Sequence, residues 1–479
     1  MSMNLIVVFG DEMRGQAMSC AGDPNVRTPN MDRMAAEGRM FSHAFSNSPV
    51  CTPARGMMLT GLFPNTHGAI VNDLPVHTDV PSIAWTLQNC GYRCGYVGKW
   101  HLGGIPRSRR IPPGPDRLGF DAFWASWNCH HDYFEPKYFV NDDTEPTVAD
   151  GYEPTVQTDL ALVFMRDHFA EHEGNPFCLF LSWGPPHSPY TPWPPASNEM
   201  YDPDELILRP NCPDTPDHRR DLAGYYAHIT ALDAELGRIL DFVDESGHTE
   251  DTLIVFTSDH GSMLGSQGHY HKQQPWGESL SVPLIMRGPK RLRGAESDLL
   301  FSLLDFAPTI LGLLGAPVPV RMQGRDLSPQ IAHGAPHPRR VIYLAEFFCV
   351  DQAGGQGIKP WRGVKTNRCT YARTAEGPWV LYDDVADPFQ LENLVDDPSV
   401  RDVRNRLDEE LDMQMARFND RIMTPDEALD HFGIRSAFNV RSEFLYHARN
   451  MGGVLDSVWP PSWSRDRIHA VEEQGYSDV

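Results

Sequence analysis

Four short apolar runs, each ending in polar residues, constrain the fold of this chain most. NLIVVF (residues 4–9) stops at Gly10-Asp11-Glu12, and RCGYV (93–97) stops at Gly98-Lys99-Trp100-His101. FCLFL (177–181) leads through Ser182 to His187, and TLIVF (252–256) stops at Thr257-Ser258-Asp259-His260. Continuous apolar runs rich in β-branched residues suit strands covered on both faces. Helical patterns lie between them. Thr28-Pro29 reads as an N-cap followed by proline at the first helical position; Met31, Met34 and Ala35 follow at helical spacing, and Gly38 stops the pattern. Over residues 221–245, Leu222, Tyr225, Ile229, Leu232, Leu236, Ile239 and Val243 mark a long amphipathic helix that ends before Gly247. Strands alternating with helices predict an α/β fold with a largely parallel sheet. Such sheets bind ligands beyond the carboxyl ends of their strands. The polar clusters stand at those ends, so residues distant in sequence can meet at one site.

At 479 residues the chain exceeds what one hydrophobic core usually serves. Its texture changes near residue 350. The expected division is a catalytic body over 1–350, a smaller α+β unit over 351–424, and an arm over 425–479. The middle unit is predicted to hold short antiparallel strands and a helix over 400–419. The arm is read as wrapping the body or a neighbouring subunit, which allows a homo-oligomer.

The net charge is -23, from 41 Lys+Arg against 64 Asp+Glu. That balance argues against a nucleic acid or an anionic membrane as partner. A local cationic pocket can still take an anionic substrate. The first apolar run has no basic segment before it and a carboxylate after it, so it reads as a strand rather than a leader. No run approaches the roughly 18 apolar residues of a membrane helix. Nine cysteines, odd in number and without a CxxC pair, favour reduced thiols and a cytoplasmic location.

One cysteine stands apart. Cys51 lies in SPVCTPARGMMLTG (48–61), with proline two residues on and arginine four residues on. A buried structural cysteine is the plainest reading. A cysteine phosphatase would need arginine six residues after the cysteine, where Met57 stands, and no papain-like signature is present. Neither accounts for the proline and the arginine together.

Cys51-Thr52-Pro53-Ala54-Arg55 matches a C-x-P-x-R pattern. With Leu59-Thr60-Gly61, Pro64-Asn65-Thr66-His67-Gly68 and the stretch 28–38, it resembles the type I sulfatases of the alkaline phosphatase-like superfamily. Further similarity comes from Gly98-Lys99-Trp100-His101-Leu102-Gly103, Pro185-Pro186-His187, Lys272 after Gly268-His269-Tyr270-His271, and Glu392-Asn393-Leu394, so it covers roughly residues 3–400. The resemblance implies an alkaline phosphatase-like sandwich: a large, mostly parallel sheet flanked by helices, with a smaller C-terminal antiparallel subdomain. It implies that a formylglycine-generating enzyme converts Cys51 to Cα-formylglycine. It also implies one divalent cation, usually Ca²⁺ with Mn²⁺ or Mg²⁺ as alternatives, held by Asp11, Glu12, Asp259, His260 and the side chain at position 51. The family usually has Asp-Asp where Asp11-Glu12 stands here, which leaves open whether Glu12 binds directly or from behind a ligand. His269-x-His271 could suggest zinc, but no further histidines are arranged for it.

The implied reaction is hydrolysis of a sulfate monoester to alcohol and sulfate. Arg55, Lys99 and Lys272 would neutralise charge on the non-bridging oxygens. Asp259 would accept the nucleophile's proton, His187 or Lys272 would protonate the leaving alcohol, and His101 would take the proton whose loss releases sulfate. The nearest rival is a phosphonate or phosphate ester hydrolase of the same superfamily, whose members are less similar at Lys99-Trp100-His101. A non-catalytic binding relative is the reading from another class. The substrate is a small-molecule or saccharide sulfate ester of unread body. Arg107-Ser108-Arg109-Arg110 reads as a solvated basic loop, whereas the aromatic and histidine cluster of Trp124, Trp127, His130 and His131, with Lys137 after it, is a candidate lining of the pocket mouth. Replacing His130 or His131 is expected to shift substrate preference more than stability.

Overall fold

The computed structural model describes residues 3–450, apart from Glu173, 195–196, 198–199, 338–340 and 350. Residues 451–479 of the predicted arm lie outside the described residues.

Each apolar run forms a strand that continues through its polar end. The strands are β1 (Asn4–Asp11), β2 (Arg93–Lys99), β3 (Phe123–Trp127), β4 (Phe177–Pro186), β5 (Thr252–Ser258) and β6 (Leu284–Arg287). They are longer than the apolar runs because backbone pairing does not depend on side-chain polarity. Gly10 still pairs with Trp183 on one side and Ser258 on the other. The sheet has nine strands in the order Arg39–Met40, β6, β5, β1, β4, β2, β3, Lys137–Val140, Thr147–Val148. β5, β1, β4, β2 and β3 run parallel, and each strand outside them pairs antiparallel with its neighbour.

Both faces of this sheet are buried. Along β1, Leu5, Val7 and Phe9 enter one core, and Ile6 and Val8 enter the other. Alternation at period two thus feeds two layers of helices, the sandwich expected from the sequence. Full burial of each such side chain is worth about 1.5–3 kcal/mol, which ties β1 to the centre of the sheet. Helix α1 (Cys51–Thr60) lies on the first face, placing Ala54, Met57, Met58 and Leu59 in the core and ending at Gly61, whose φ of 62° suits glycine. Helix α2 (Pro216–Glu245) covers the second face with Leu222, Tyr225, Ile229, Leu232 and Leu236. It starts five residues before the predicted 221, because Thr215 accepts the His218 N–H at 3.2 Å and Pro216 follows at N1. The predicted helix after Thr28 spans Pro29–Glu37. Its cap comes from elsewhere: the Thr28 hydroxyl bonds Ser19, and Asp233 of α2 accepts from the N–H groups of Asn30 and Met31 at 3.1 and 2.7 Å.

A four-stranded antiparallel sheet follows, built from Ile342–Glu346, Trp361–Lys365, Cys369–Thr374 and Gly377–Asp383, with the helix Arg401–Arg417 packed on it. Its first strand lies upstream of residue 351. The helix α3 (Arg435–Asn450) ends the described chain. All nine cysteines are free. Among the described residues, no helix is long and apolar enough to cross a membrane.

Candidate active site

The carboxyl ends of β1, β2, β4 and β5 bring the predicted residues together. Asp11 is the last residue of β1, Lys99 the last of β2, and Asp259 follows β5 directly. Cys51 begins α1, where the first-turn N–H groups lack helical partners and favour anionic oxygen. One ligand atom from each of Asp11, Cys51, Asp259 and His260 lies within 4.8 Å of the others, and all four residues are buried.

This group suits a cation. His260 donates Nδ1–H to the Gly261 carbonyl at 2.8 Å, which turns Nε2 inward to 3.3 Å from Cys51 Sγ. Burial and the neighbouring Asp11 push the Asp259 carboxyl up from its ordinary range. Two buried carboxylates beside one thiol are stable together only when positive charge stands between them. Part of that charge is built in. Arg55 donates from Nε to Asp259 Oδ2 at 2.9 Å and from Nη1 to Ser182 Oγ at 2.7 Å and the Lys99 carbonyl at 2.8 Å. Lys99 Nζ donates to Asp11 Oδ2. Burial opposes ionisation of Asp11, but Lys99, His187 and Arg55 outweigh it and hold the carboxyl well below the usual range. Burial and Asp11 likewise oppose a Cys51 thiolate; Lys272, Lys99 and His260 overcome them and lower the thiol's pKa.

Glu12 sits beside this group and faces another way. Its Oε2 accepts from Lys272 Nζ at 2.7 Å and lies 3.1 Å from His187 Nε2. Its φ of 64° is a left-handed conformation rare outside glycine. The Glu12 N–H donates to Asp259 Oδ1 at 3.1 Å and its carbonyl accepts from Tyr225 at 3.0 Å, so the strain is held from both sides. His187 donates Nδ1–H to the Ser188 carbonyl at 2.7 Å, and its Nε2 accepts from Lys272 at 2.7 Å. Burial and Lys272 push His187 down to about 4, so it stays neutral while Lys272 keeps the proton. His101, also at a left-handed φ of 57°, faces Asp73 with Nε2 at 3.0 Å. Burial disfavours its charge, but Cys129 and Asp73 raise it to about 10.

Several residues at the site carried no sequence signal. Asp73 lies in a loop without periodicity, and Ser182 reads as an ordinary strand residue. Arg14, three residues after Asp11, donates Nε–H to the Ser262 carbonyl at 2.6 Å and Nη2–H to that of Met263, fixing the loop that leads to Lys272. Its nearness to the Asp11-Glu12 pair was the one available hint. The expected pocket mouth divides. Trp124 is fully buried in the core, and Trp127 stacks on Phe139 with ring centroids 5.3 Å apart. His130 pairs with buried Glu153 at 3.2 Å. His131 stacks on His187 at 4.3 Å. Arg107, read as part of a solvated run, grips Asp73 through Nε and Nη2, both at 2.9 Å. His269 stacks on Trp276 at 5.0 Å, whereas His271 Nδ1 lies 4.0 Å from Glu12 Oε1, so the two rings serve different neighbours.

Buried carboxylates, a thiol at a helix start and fixed cations, gathered at the carboxyl edge of a parallel sheet, define an α/β hydrolase of anionic esters with the alkaline phosphatase-like architecture. Comparison with known proteins gives its family. The family model "Sulfatase" matches residues 3–316, and "N-sulphoglucosamine sulphohydrolase, C-terminal" matches 265–417. The chain is 36% identical over 466 residues to an ulvan-active sulfatase of Formosa agariphila, covering 95% of this chain and 89% of that one. It is 30% identical to an endo-4-O-sulfatase of Bacteroides thetaiotaomicron, covering 82% and 87%. Among solved structures, yidJ of Bacteroides fragilis, itself named as a sulfatase, superposes with a TM-score of 0.80 at 27% identity, covering 88% and 96%. The chain belongs to the sulfatase family, and it is a sulfuric ester hydrolase.

Proposed function

We propose that this sulfatase removes sulfate from a sulfated saccharide, using a formylglycine derived from Cys51 and one Ca²⁺. The observation that carries this reading is the buried Asp11–Cys51–Asp259–His260 group at the start of α1. Its two carboxylates, with an oxygen of the modified side chain at position 51, are hard donors suited to Ca²⁺, with Mn²⁺ or Mg²⁺ as the alternatives, and His260 completes the group. When bound, the cation lowers the pKa of the nucleophilic hydroxyl and draws charge from the sulfate oxygens. Cys51 is 1% exposed, which favours conversion by a formylglycine-generating enzyme before the chain folds. The ulvan-active relative, aligned along most of the chain, favours a saccharide substrate.

The chain's own residues supply the rest. Arg55, Lys99 and Lys272 present fixed positive charge to sulfate oxygens without reorganisation. Asp259, a carboxylate at the same edge within the group around position 51, takes the nucleophile's proton. Of the two candidate acids for the leaving alcohol, Lys272 holds the proton while neutral His187 accepts a hydrogen bond from it through Nε2, so Lys272 is the donor and His187 orients it. Glu12 then serves the acid pair by anchoring Lys272, and the metal is left to the other four residues. The test is sulfate release from a panel of sulfated saccharides, aryl sulfates and phosphonate esters. Saccharide sulfates are expected to give the highest kcat/KM. A preference for phosphonate esters would assign the site to the rival phosphonate and phosphate chemistry.

A further inference from the structure

Asp73 joins parts of the site that are otherwise separate. It is fully buried and has a φ of 66°, a left-handed conformation. Its Oδ1 faces His101 Nε2 at 3.0 Å, and Arg107 forks onto both carboxylate oxygens. The residue before it, Asn72, accepts the Thr52 N–H at 2.9 Å through Oδ1, directly after Cys51. Thr52 Oγ1 donates in turn to the His101 carbonyl at 2.8 Å. The start of the nucleophile's helix and the His101 ring are therefore fixed by two consecutive residues of one loop.

The loop is held from outside by α3. Arg441, 2% exposed, donates Nε–H to the Asn72 carbonyl at 2.7 Å, and its Nη2 lies 3.9 Å from Asp73 Oδ2. Phe438, one turn earlier on the same helix, packs on Phe348 with centroids 5.0 Å apart. Arg441 lies beyond residue 417, where the second family match ends. A carboxylate only accepts, so His101 must place its N–H on Nε2. Nδ1, which is buried and lies on the side of the ring away from Asp73, is then the nitrogen left to exchange a proton, with the Cys129 thiol beside the ring.

We propose that Asp73 is a positioning residue that fixes which ring nitrogen of His101 exchanges protons during sulfate release, and that Arg441 makes α3 part of the same clamp. This rests on the assignment of His101 to sulfate release. Slowing that half of the reaction leaves cleavage of the ester bond untouched. The alcohol would then appear in one fast turnover, followed by slow steady state.

The experiment uses the full chain with formylglycine confirmed at position 51, 4-nitrophenyl sulfate as probe, and stopped-flow detection. Asp73→Asn is expected to lower kcat about 100-fold, the scale of one general acid–base contribution, and KM in parallel. Its kcat/KM should stay within about threefold of wild type, with a burst of nitrophenol equal to the enzyme concentration. His101→Ala should show the same burst, and adding Asp73→Asn to it should change kcat little, because the two act through one ring. Arg441→Gln should give a weaker form of the signature, roughly fivefold in kcat and KM, and Arg441→Lys should restore most of it. Arg441→Gln keeps the carboxylate in place and decides the question if Asp73→Asn does not fold. A burst in His101→Ala with none in Asp73→Asn or Arg441→Gln overturns the clamp alone. So does a fall in kcat/KM that matches the fall in kcat. No burst in His101→Ala overturns the role given to His101, and the clamp with it.

Discussion

Lys272 Nζ lies 2.7 Å from His187 Nε2, and both contact the same oxygen of Glu12. A charged amine donating to a neutral imidazole is a loaded acid, and its worth depends on the leaving group. Lys272→Ala is expected to lower kcat/KM by roughly 100- to 1,000-fold on a saccharide sulfate, whose alkoxide needs a proton. On 4-nitrophenyl sulfate the loss should be about tenfold smaller, because nitrophenolate leaves without help. Parallel assays on the two substrates check this. Equal losses would mean that Lys272 acts only by its charge.

Glu12 and Asp11 are neighbours in sequence with different expected duties. Asp11→Asn and Asp259→Asn should each yield protein that loses its divalent ion on dialysis. Glu12→Gln should retain one ion per chain while kcat falls about 10- to 100-fold through a loosened Lys272. Metal analysis after dialysis against a weak chelator separates the cases. Loss of the ion from Glu12→Gln would make Glu12 a ligand.

His130 and His131 were expected to behave alike, and the structure separates them. His130→Ala leaves the buried Glu153 carboxylate without its imidazole partner, a loss of about 1–3 kcal/mol in urea unfolding. His131→Ala removes the ring stacked on His187. It should change kcat/KM ratios among saccharide sulfates and move stability by less than about 1 kcal/mol. The reverse pattern would place His131 in the structural role.

Glu346, outside the metal-binding residues themselves, offers a pH test of a different kind. Burial pushes its carboxyl up to about 8, although Gln273 and Phe348 donate to Oε1. An acid with a raised folded-state pKa stabilises the fold fully below its unfolded pKa, and that stability is lost as pH rises through the folded value. The wild type should therefore lose on the order of 1 kcal/mol per pH unit between about pH 5 and 8 relative to Glu346→Gln. Urea unfolding at three pH values measures the gap. A constant gap would show that Glu346 ionises normally.

How much of this was legible in the sequence follows from range. β1, β2, β4 and β5 were readable because continuous apolar runs report burial locally, and the polar residues that close them report the site edge. Cys51 and Arg55 were readable because their spacing is itself a local pattern. The Asp233 cap on the helix Pro29–Glu37 was not, since its partners are some 200 residues away and Thr28 offers a ready local substitute. Asp73 was hidden for the same reason: its loop has no period, and its partners come from two distant stretches, His101 and Arg107 after β2 and Arg441 on α3. Trp124 misled because an aromatic beside histidines reads alike in a pocket rim and in a core.

Cys51, as proposed above, is the precursor of the nucleophile, and its mass reports this directly. Trypsin should release residues 40–55 as one peptide from protein made in its native host. This peptide should be about 18 Da lighter than the thiol form, with a hydrate beside it, and the lighter fraction should track sulfatase activity across preparations. Full activity in protein carrying only the thiol at position 51 would contradict it.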